Sequence, residues 1–217
     1  MAFALRAMHC IAAAAPLRAP RTFGRRPSAV AVRAMSDAAA PVAAAPPVHE
    51  LVDLRVGRVL KAYKHEEADK LYVEEVDVGE EEPRQICSGL VPYMNAEDIE
   101  GKLVVVLLNL KSRNMAGIAS HGMLLAASDA THEKVELLVC PADAVVGERI
   151  TFGDATEEQA EQAAPHTENQ MKKKKTWEAV APDLCTTQDC VAAYKNLQMR
   201  TSAGPVTCGS IAKGTIG

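Results

Sequence analysis

Aromatic residues are scarce in this chain of 217 residues: four Tyr, three Phe and one Trp. From residue 48 onward they are Tyr63, Tyr72, Tyr93, Phe152, Trp177 and Tyr194, and several of these must serve the core. A long platform of aromatic rings stacking successive unpaired bases therefore does not fit. No apolar run approaches the ~18–20 residues of a membrane helix, which excludes a buried span. Cysteine numbers six, with no C-x-x-C pair, and five lie beyond residue 47. An odd number argues against a disulfide framework and for reduced thiols in an intracellular compartment. Catalytic signatures are missing as well. There is no Gly-rich phosphate loop ending in Lys-Ser/Thr, no G-x-G-x-x-G after a strand, no G-x-S-x-G elbow and no H-E-x-x-H. Cys185 and Cys190 lie five apart with no His at ligand spacing, so they read as ordinary thiols rather than metal ligands. His65 among Glu66, Glu67 and Asp69 has the residue types of a general base, but such a cluster is ordinarily a solvated turn. No metal, cofactor or enzymatic activity is expected.

Charge is present but unevenly placed. The 24 basic and 28 acidic residues give a net of −4, which on totals argues against a polyanion partner. Residues 1–47 hold Arg6, Arg18, Arg21, Arg25, Arg26 and Arg33, no Lys, and the single acid Asp37. That leaves 18 basic against 27 acidic residues in the rest. The Ala-, Arg- and Pro-rich first 47 residues cannot build a packed core. Rich in Arg and nearly free of acid, they read as an organellar transit peptide followed by an Ala/Pro linker. Val32-Arg33-Ala34 before Met35 is similar to a chloroplast processing site, with mitochondrion and then cytosol as the alternative addresses.

Beyond residue 47 the chain reads as many short strands punctuated by glycine. Strand signals fall at Leu54–Val59, Tyr72–Val78, Arg84–Cys87, Leu103–Leu108, Gly122–Ala127, Val135–Val139 and Arg149–Phe152. Gly57 within the first predicts a bulge or sharp bend. Tyr72, Val76 and Val78 share one face, with Glu75 and Asp77 opposite. The continuous run Leu103 to Leu108 predicts a strand buried on both faces. Asn95, with Asp98 three residues on, predicts a capped helical turn. These signals predict a small closed or partly open β-barrel over 48–153. Residues 154–170, acidic and without Val, Ile, Leu or aromatics, read as a solvated linker. Residues 171–217 are too few for a stable domain and are expected to dock on the barrel. Within them, Thr186-x-x-Asp189 predicts a capping box opening a short helix through Tyr194.

The unusual stretch is Asn109 to Met123, directly after the most apolar strand. Asn109, Lys111, Arg113, Asn114, Ser120 and His121 are all hydrogen-bond donors, and Gly117 and Gly122 permit close approach of a partner. Donors on a loop at a barrel mouth suit phosphate and base-edge binding. On residue types alone a polar surface loop fits equally well, with Met115 and Met123 pointing into the core.

The same residues carry a resemblance. Asp53-Leu-Arg-Val-Gly-Arg-Val59, His65 through Gly79 with its Asp69-Lys-Leu-Tyr-Val-Glu74 centre, Ser88-Gly-Leu90, Asn109-Leu-Lys111, Met115, Gly117, Ser120 and Met123 through Ser128 resemble the tRNA-binding domain of the endothelial monocyte-activating polypeptide II type. Lys172-Lys-Lys-Lys-Thr-Trp-Glu178, Pro182-Asp-Leu184 and Cys190 through Lys195 are similar to the extra C-terminal domain of its eukaryotic members. The resemblance implies a mainly β fold: a five-stranded oligonucleotide-binding Greek-key barrel with a small C-terminal β/α extension docked on it. It further implies a monomer whose extension imitates a second subunit, with tRNA and aminoacyl-tRNA synthetases as partners and no membrane. Implied RNA contacts are Asn109, Lys111, Met115, Ser120 and Met123, with Arg84 and Ser88 as neighbours on the same face. Charge placement adds Arg113 and the run Lys172, Lys173, Lys174 and Lys175, which beside an acidic tract reads as a backbone clamp or as a solvated run that keeps the linker extended. Family members often carry Pro at the position of Ser112, Arg at that of Ala116 and a basic residue at that of Ala119. The loop has therefore lost positive charge, and tRNA binding is expected to be weaker and less salt-sensitive than a typical member's. The alternative is a protein-interaction module without a tRNA role, since relatives include a chaperone-like dimer and a cytokine-like fragment whose active segment resembles Arg55 to Lys61.

Overall fold

Strand β1 (Leu54–Lys64) is the spine of the molecule in a computed structural model that describes residues 47–153 and 162–217. The proposed transit peptide and Ala/Pro linker at 1–46, and the acidic stretch 154–161, lie outside the described residues. β1 pairs antiparallel with β2 (Tyr72–Asp77), and β2 with β3 (Arg84–Ser88). On its other side β1 pairs with β4 (Leu103–Leu107), Leu54 facing Leu107 and Arg58 facing Leu103. β5 (Arg113–Met115) and β6 (Ile118–Ser120) form a separate hairpin, and β7 (Met123–Leu124) returns to β4. The resulting sheet has the order β3-β2-β1-β4-β7. Between β3 and β4 a short 3₁₀ turn, Ala96–Asp98, forms as its sequence predicts, the Asn95 backbone N–H and side-chain amide both donating to Asp98 Oδ2.

Gly57 does not bend β1. Its pairing with Val104 continues unbroken, and a Cβ at this position would stand 2.6 Å from Val106 Cγ2 and 2.8 Å from Val76 Cγ1. Glycine is required here so that β2 and β4 side chains can close over the barrel interior. The irregularity falls at Leu60 instead, where the register shifts between Val59 and Lys61. The extra residue turns Leu60 outward and returns Ala62 to the same interior face as Val59.

The run Leu103 to Leu108 is buried on both faces, and two separate cores explain it. Val104, Val106 and Leu108 enter the barrel interior with Val59, Val76, Ile86 and Ile99. Leu103, Val105 and Leu107 enter a second core with Met171, Leu184, Tyr194 and Met199 of the C-terminal segment. A half-exposed barrel would leave that second row in water; the extension covers it.

The extension is joined to the barrel by hydrogen bonds as well as by packing. β8 (Ala126–Ser128), β9 (Val135–Leu137) and β10 (Thr151–Phe152) complete the first part of the chain. Helices α1 (Glu168–Lys174) and α2 (Thr176–Val180) follow, then β11 (Leu184–Thr186), β12 (Ala192–Tyr194), β13 (Leu197–Thr201), β14 (Gly204–Pro205) and β15 (Thr215–Ile216). The second sheet runs β10-β13-β12-β11-β15-β8-β9, with β14 on β13. It alternates between the two parts of the chain: Ile216 pairs with Ala127, and Phe152 with Met199. The mainly β, barrel-type architecture is therefore what the structure shows, with few helices.

Two further local expectations are corrected. Thr186 to Tyr194 forms no helix but the hairpin β11–β12. Thr186 Oγ1 is buried, accepting the Gly214 N–H at 2.8 Å, while Thr187 Oγ1 accepts the N–H groups of Asp189 and Val191 and closes the turn. A threonine turn competes with helix capping for the same backbone donors and prevails here. Conversely, α1 starts at Glu168, inside the segment read as linker. Thr167 and Gln170 form its capping box, the Gln170 N–H donating to Thr167 Oγ1 at 3.4 Å and the Thr167 N–H to Gln170 Oε1 at 2.9 Å.

Candidate nucleic-acid interface

Asn109 to Met123 leaves the end of β4, runs beside β3 as the β5–β6 hairpin and returns as β7. Ala116 (φ +49°) and Gly117 (φ +92°) form its tip, both left-handed as a two-residue hairpin turn requires. The Gly117 N–H donates to Asn114 Oδ1 at 2.8 Å. The excursion is pinned at its base by Arg84, whose Nη1 donates to the carbonyls of Leu108 and His121, both at 3.0 Å. Glu80 takes the Nε and Nη2 donors of the same guanidinium, which holds the Glu80 carboxyl below its ordinary pKa. Four of the five Arg84 donors are thus used internally. Arg84 builds the site and has little left for RNA.

Asn109 and Ser120 also make their hydrogen bonds within the protein. Asn109 is buried; its Oδ1 accepts the Asp53 N–H at 3.0 Å, and its Nδ2 donates to the carbonyls of Leu51 at 3.0 Å and His166 at 2.9 Å. Ser120 is buried too, its hydroxyl accepting the Cys87 N–H and donating to the Gly122 carbonyl, both at 3.0 Å. Their polar groups are engaged inside the protein, where they hold the loop in place. Asn109 acts at a distance: the His166 it holds meets Thr176 Oγ1 through its ring at 2.9 Å, which sets α2 and Trp177 beside the loop.

What the loop leaves in water is a short cationic edge. Lys111, Ser112, Arg113 and Asn114 are exposed. Below them lies a cavity of about 690 Å³ between β3, the loop, β7 and the two helices. Met115, Met123, Leu90 and Trp177 line its apolar part, and Lys111, Arg113 and Lys172 its charged rim. Ser88 also lines it, but its hydroxyl donates to the Glu74 carboxylate behind the wall. Glu74 is a site residue that sequence reasoning passed over. It is fully buried, and desolvation pushes its carboxyl up to about 7. Burial, and after it the charge of Glu74, holds the neighbouring Cys87 thiol, also in the wall, above its ordinary pKa.

The lysine run divides. Lys172, Lys173 and Lys174 form the exposed last turn of α1, where cations complement the helix dipole, and Lys175 adopts φ +52° between the helices. Only Lys172 lines the cavity; Lys174 Nζ lies 3.3 Å from His166 Nε2. Lys172 alone of the four thus stands at the cavity, while Lys173 and Lys175 are exposed away from it. His65 is buried and accepts the Glu67 N–H on Nδ1 at 3.0 Å, a turn-holding role. Among the described residues no group of His, Cys, Asp and Glu is arranged to hold a metal ion, and no helix is long and apolar enough to cross a membrane.

A β-barrel with a cationic loop over an apolar cleft defines a nucleic-acid-binding module, and comparison with known proteins specifies which. The family described as "Putative tRNA binding domain" matches residues 54–149. The C-terminal domain of Plasmodium vivax p43 superposes with a TM-score of 0.69 at 37% identity, covering 77% of this chain and 98% of that one. This chain belongs to that tRNA-binding domain family. A protein of Oryza sativa subsp. japonica named "Probable methionine--tRNA ligase" is 48% identical over 166 residues, 76% of this chain and 20% of its own length. The aminoacyl tRNA synthase complex-interacting multifunctional protein 1 of Cricetulus griseus is 46% identical over 158 residues, 72% and 42% respectively. The chain thus spans less than half the length of these curated relatives.

Proposed function

We propose that this chain is a non-catalytic tRNA-binding protein that presents tRNA to aminoacyl-tRNA synthetases. The observation that carries the proposal is the placement of Lys111, Arg113 and Lys172 on one rim in a body where acids outnumber bases. Similarity to synthetases and to a synthetase-complex protein supports the choice of partners. Recognition runs mainly through phosphates and shape, since the rim offers three cations and few base-reading groups. Filter-binding titrations with tRNA at several salt concentrations test it. Saturable binding that weakens with salt is expected, and Lys111→Ala lowers the log–log salt slope by about 0.9 across tRNA species. No saturable binding even at low salt refutes the proposal.

The address we propose is the chloroplast, on the composition of residues 1–47 and the Val32-Arg33-Ala34 tripeptide. N-terminal sequencing of the mature protein from purified organelles tests this: a start near Met35 in plastids supports it, and recovery from mitochondria or cytosol overturns it. Strand β8, from the first part of the chain, is paired within the second sheet by β15 of the extension, which supports a monomer whose extension fills the place of a second subunit.

A further inference from the structure

We propose that the cavity beneath the cationic rim takes one unpaired nucleotide of the RNA, its base lodged against Trp177. This deepens the tRNA-binding role proposed above and rests on it. Phosphate binding needs only exposed cations, yet here a space of about 690 Å³ opens below them, within the ~300–1,000 Å³ of small-molecule sites. Leu90, Met115, Met123 and Trp177 make much of its wall apolar. A paired helix keeps its base faces stacked and cannot fill such a space, whereas an extruded base presents its π-face to an aromatic ring. Thioethers add favourable contacts at ring edges.

Charge decides the class of occupant. Lys111, Arg113 and Lys172 stand at the rim, and among the described residues lining the cavity Glu178 is the one carboxylate side chain. An anionic ligand with an apolar face is favoured over an apolar peptide. The number of nucleotides follows from the aromatics. Of the six beyond residue 47, Tyr72 and Tyr194 are buried, Phe152 packs against His49 and Tyr194, and Tyr63 lies outside the cavity. Trp177 and Tyr93 remain, at one cavity, which suits a single base rather than a stacked row.

Trp177 is the only tryptophan of the chain, so its emission reports on the cavity directly. The full chain is titrated at low salt with tRNA, with a short single-stranded RNA, and with a blunt RNA duplex of equal charge. Binding is followed by Trp177 emission and by anisotropy of labelled RNA. tRNA and the single strand are expected to change the emission, and the duplex to leave it unchanged while binding about ten-fold more weakly. Met115→Ala and Trp177→Leu should each lower single-strand affinity by roughly ten-fold, the scale of one lost base contact. Two variants on different elements guard against a folding defect in one. Equal binding of duplex and single strand, or tRNA binding with unaltered emission, overturns the nucleotide pocket while leaving the tRNA role standing. Emission that responds to an apolar peptide and to no RNA assigns the cavity to a protein partner and overturns the pocket. Failure of every RNA to bind overturns both.

Discussion

Glu74 shares a strand face with Tyr72 and Val76, and all three are buried. Desolvation raises its pKa to about 7 and outweighs the hydrogen bonds from Ser88 and its own backbone, which act in the other direction. The linkage sign follows. A carboxyl with a folded pKa above its unfolded value holds its proton more tightly in the native state. Its contribution to stability is complete below the unfolded pKa of about 4.3 and is lost as pH rises through about 7. The scale is about 4 kcal/mol at most. Glu74→Gln keeps the shape and removes the titration. It should raise the melting temperature at pH 8 and flatten the decline of stability between pH 5 and 7.5; thermal melts across that range check this, and an unchanged slope refutes it. Period-2 reading identified the buried face of β2 from Tyr72, Val76 and Val78, but a glutamate in the row carries no signal of its own burial. Its partner Ser88 is on another strand.

A second residue test concerns charge. Ala116 already adopts φ +49°, so Ala116→Arg adds a cation at the hairpin tip without a new backbone demand. Filter binding should show higher tRNA affinity and a salt slope steeper by about 0.9.

Among elements, the β4–β5 connection shows why neighbouring residues of one motif do different work. Asn109 and Lys111 are two apart, and the sequence pattern assigns both to RNA contact. Asn109 turns inward to Asp53, Leu51 and His166, all more than fifty residues away in sequence, and Lys111 turns out. Sequence reading finds the loop; it cannot find partners at that separation, so it cannot separate positioning from contact. Stability separates them. Asn109→Ala leaves a buried N–H and two carbonyls without their partner and should cost about 2–3 kcal/mol. Lys111→Ala should leave the melting temperature within about 1 °C, since an exposed side chain away from packed features changes stability little. Calorimetry of both variants beside tRNA titration tests the division: a stable Asn109→Ala protein with lost binding would return Asn109 to the contact residues.

At the scale of the whole molecule, the barrel strands and their two-faced centre were legible, because β-branched runs and alternation are local. The unbroken apolar run Leu103 to Leu108 declares its two-faced burial, but the cause, an extension more than sixty residues later, leaves no mark in the run itself. That cause has a thermodynamic consequence. The second core draws Leu54, Val56, Val105 and Leu107 from the barrel and Met171, Leu184, Tyr194 and Met199 from the extension. β15 pairs with β8, and β13 with β10, across the same division. Neither part can open without exposing the other's apolar surface, so they form one cooperative unit. The prediction is a single calorimetric transition for residues 48–217 with equal calorimetric and van't Hoff enthalpies. A chain ending at Gly153 should bind apolar dyes and fail to melt cooperatively, because Val105 and Leu107 lose their cover. Replacing Met199, fully buried in the shared core, by Ala should lower stability by about 2–5 kcal/mol and shift the whole transition rather than split it. Two resolved transitions in the intact protein would show instead that the extension folds apart from the barrel, and the cavity walls at Lys172 and Trp177 could then separate from the loop at Lys111.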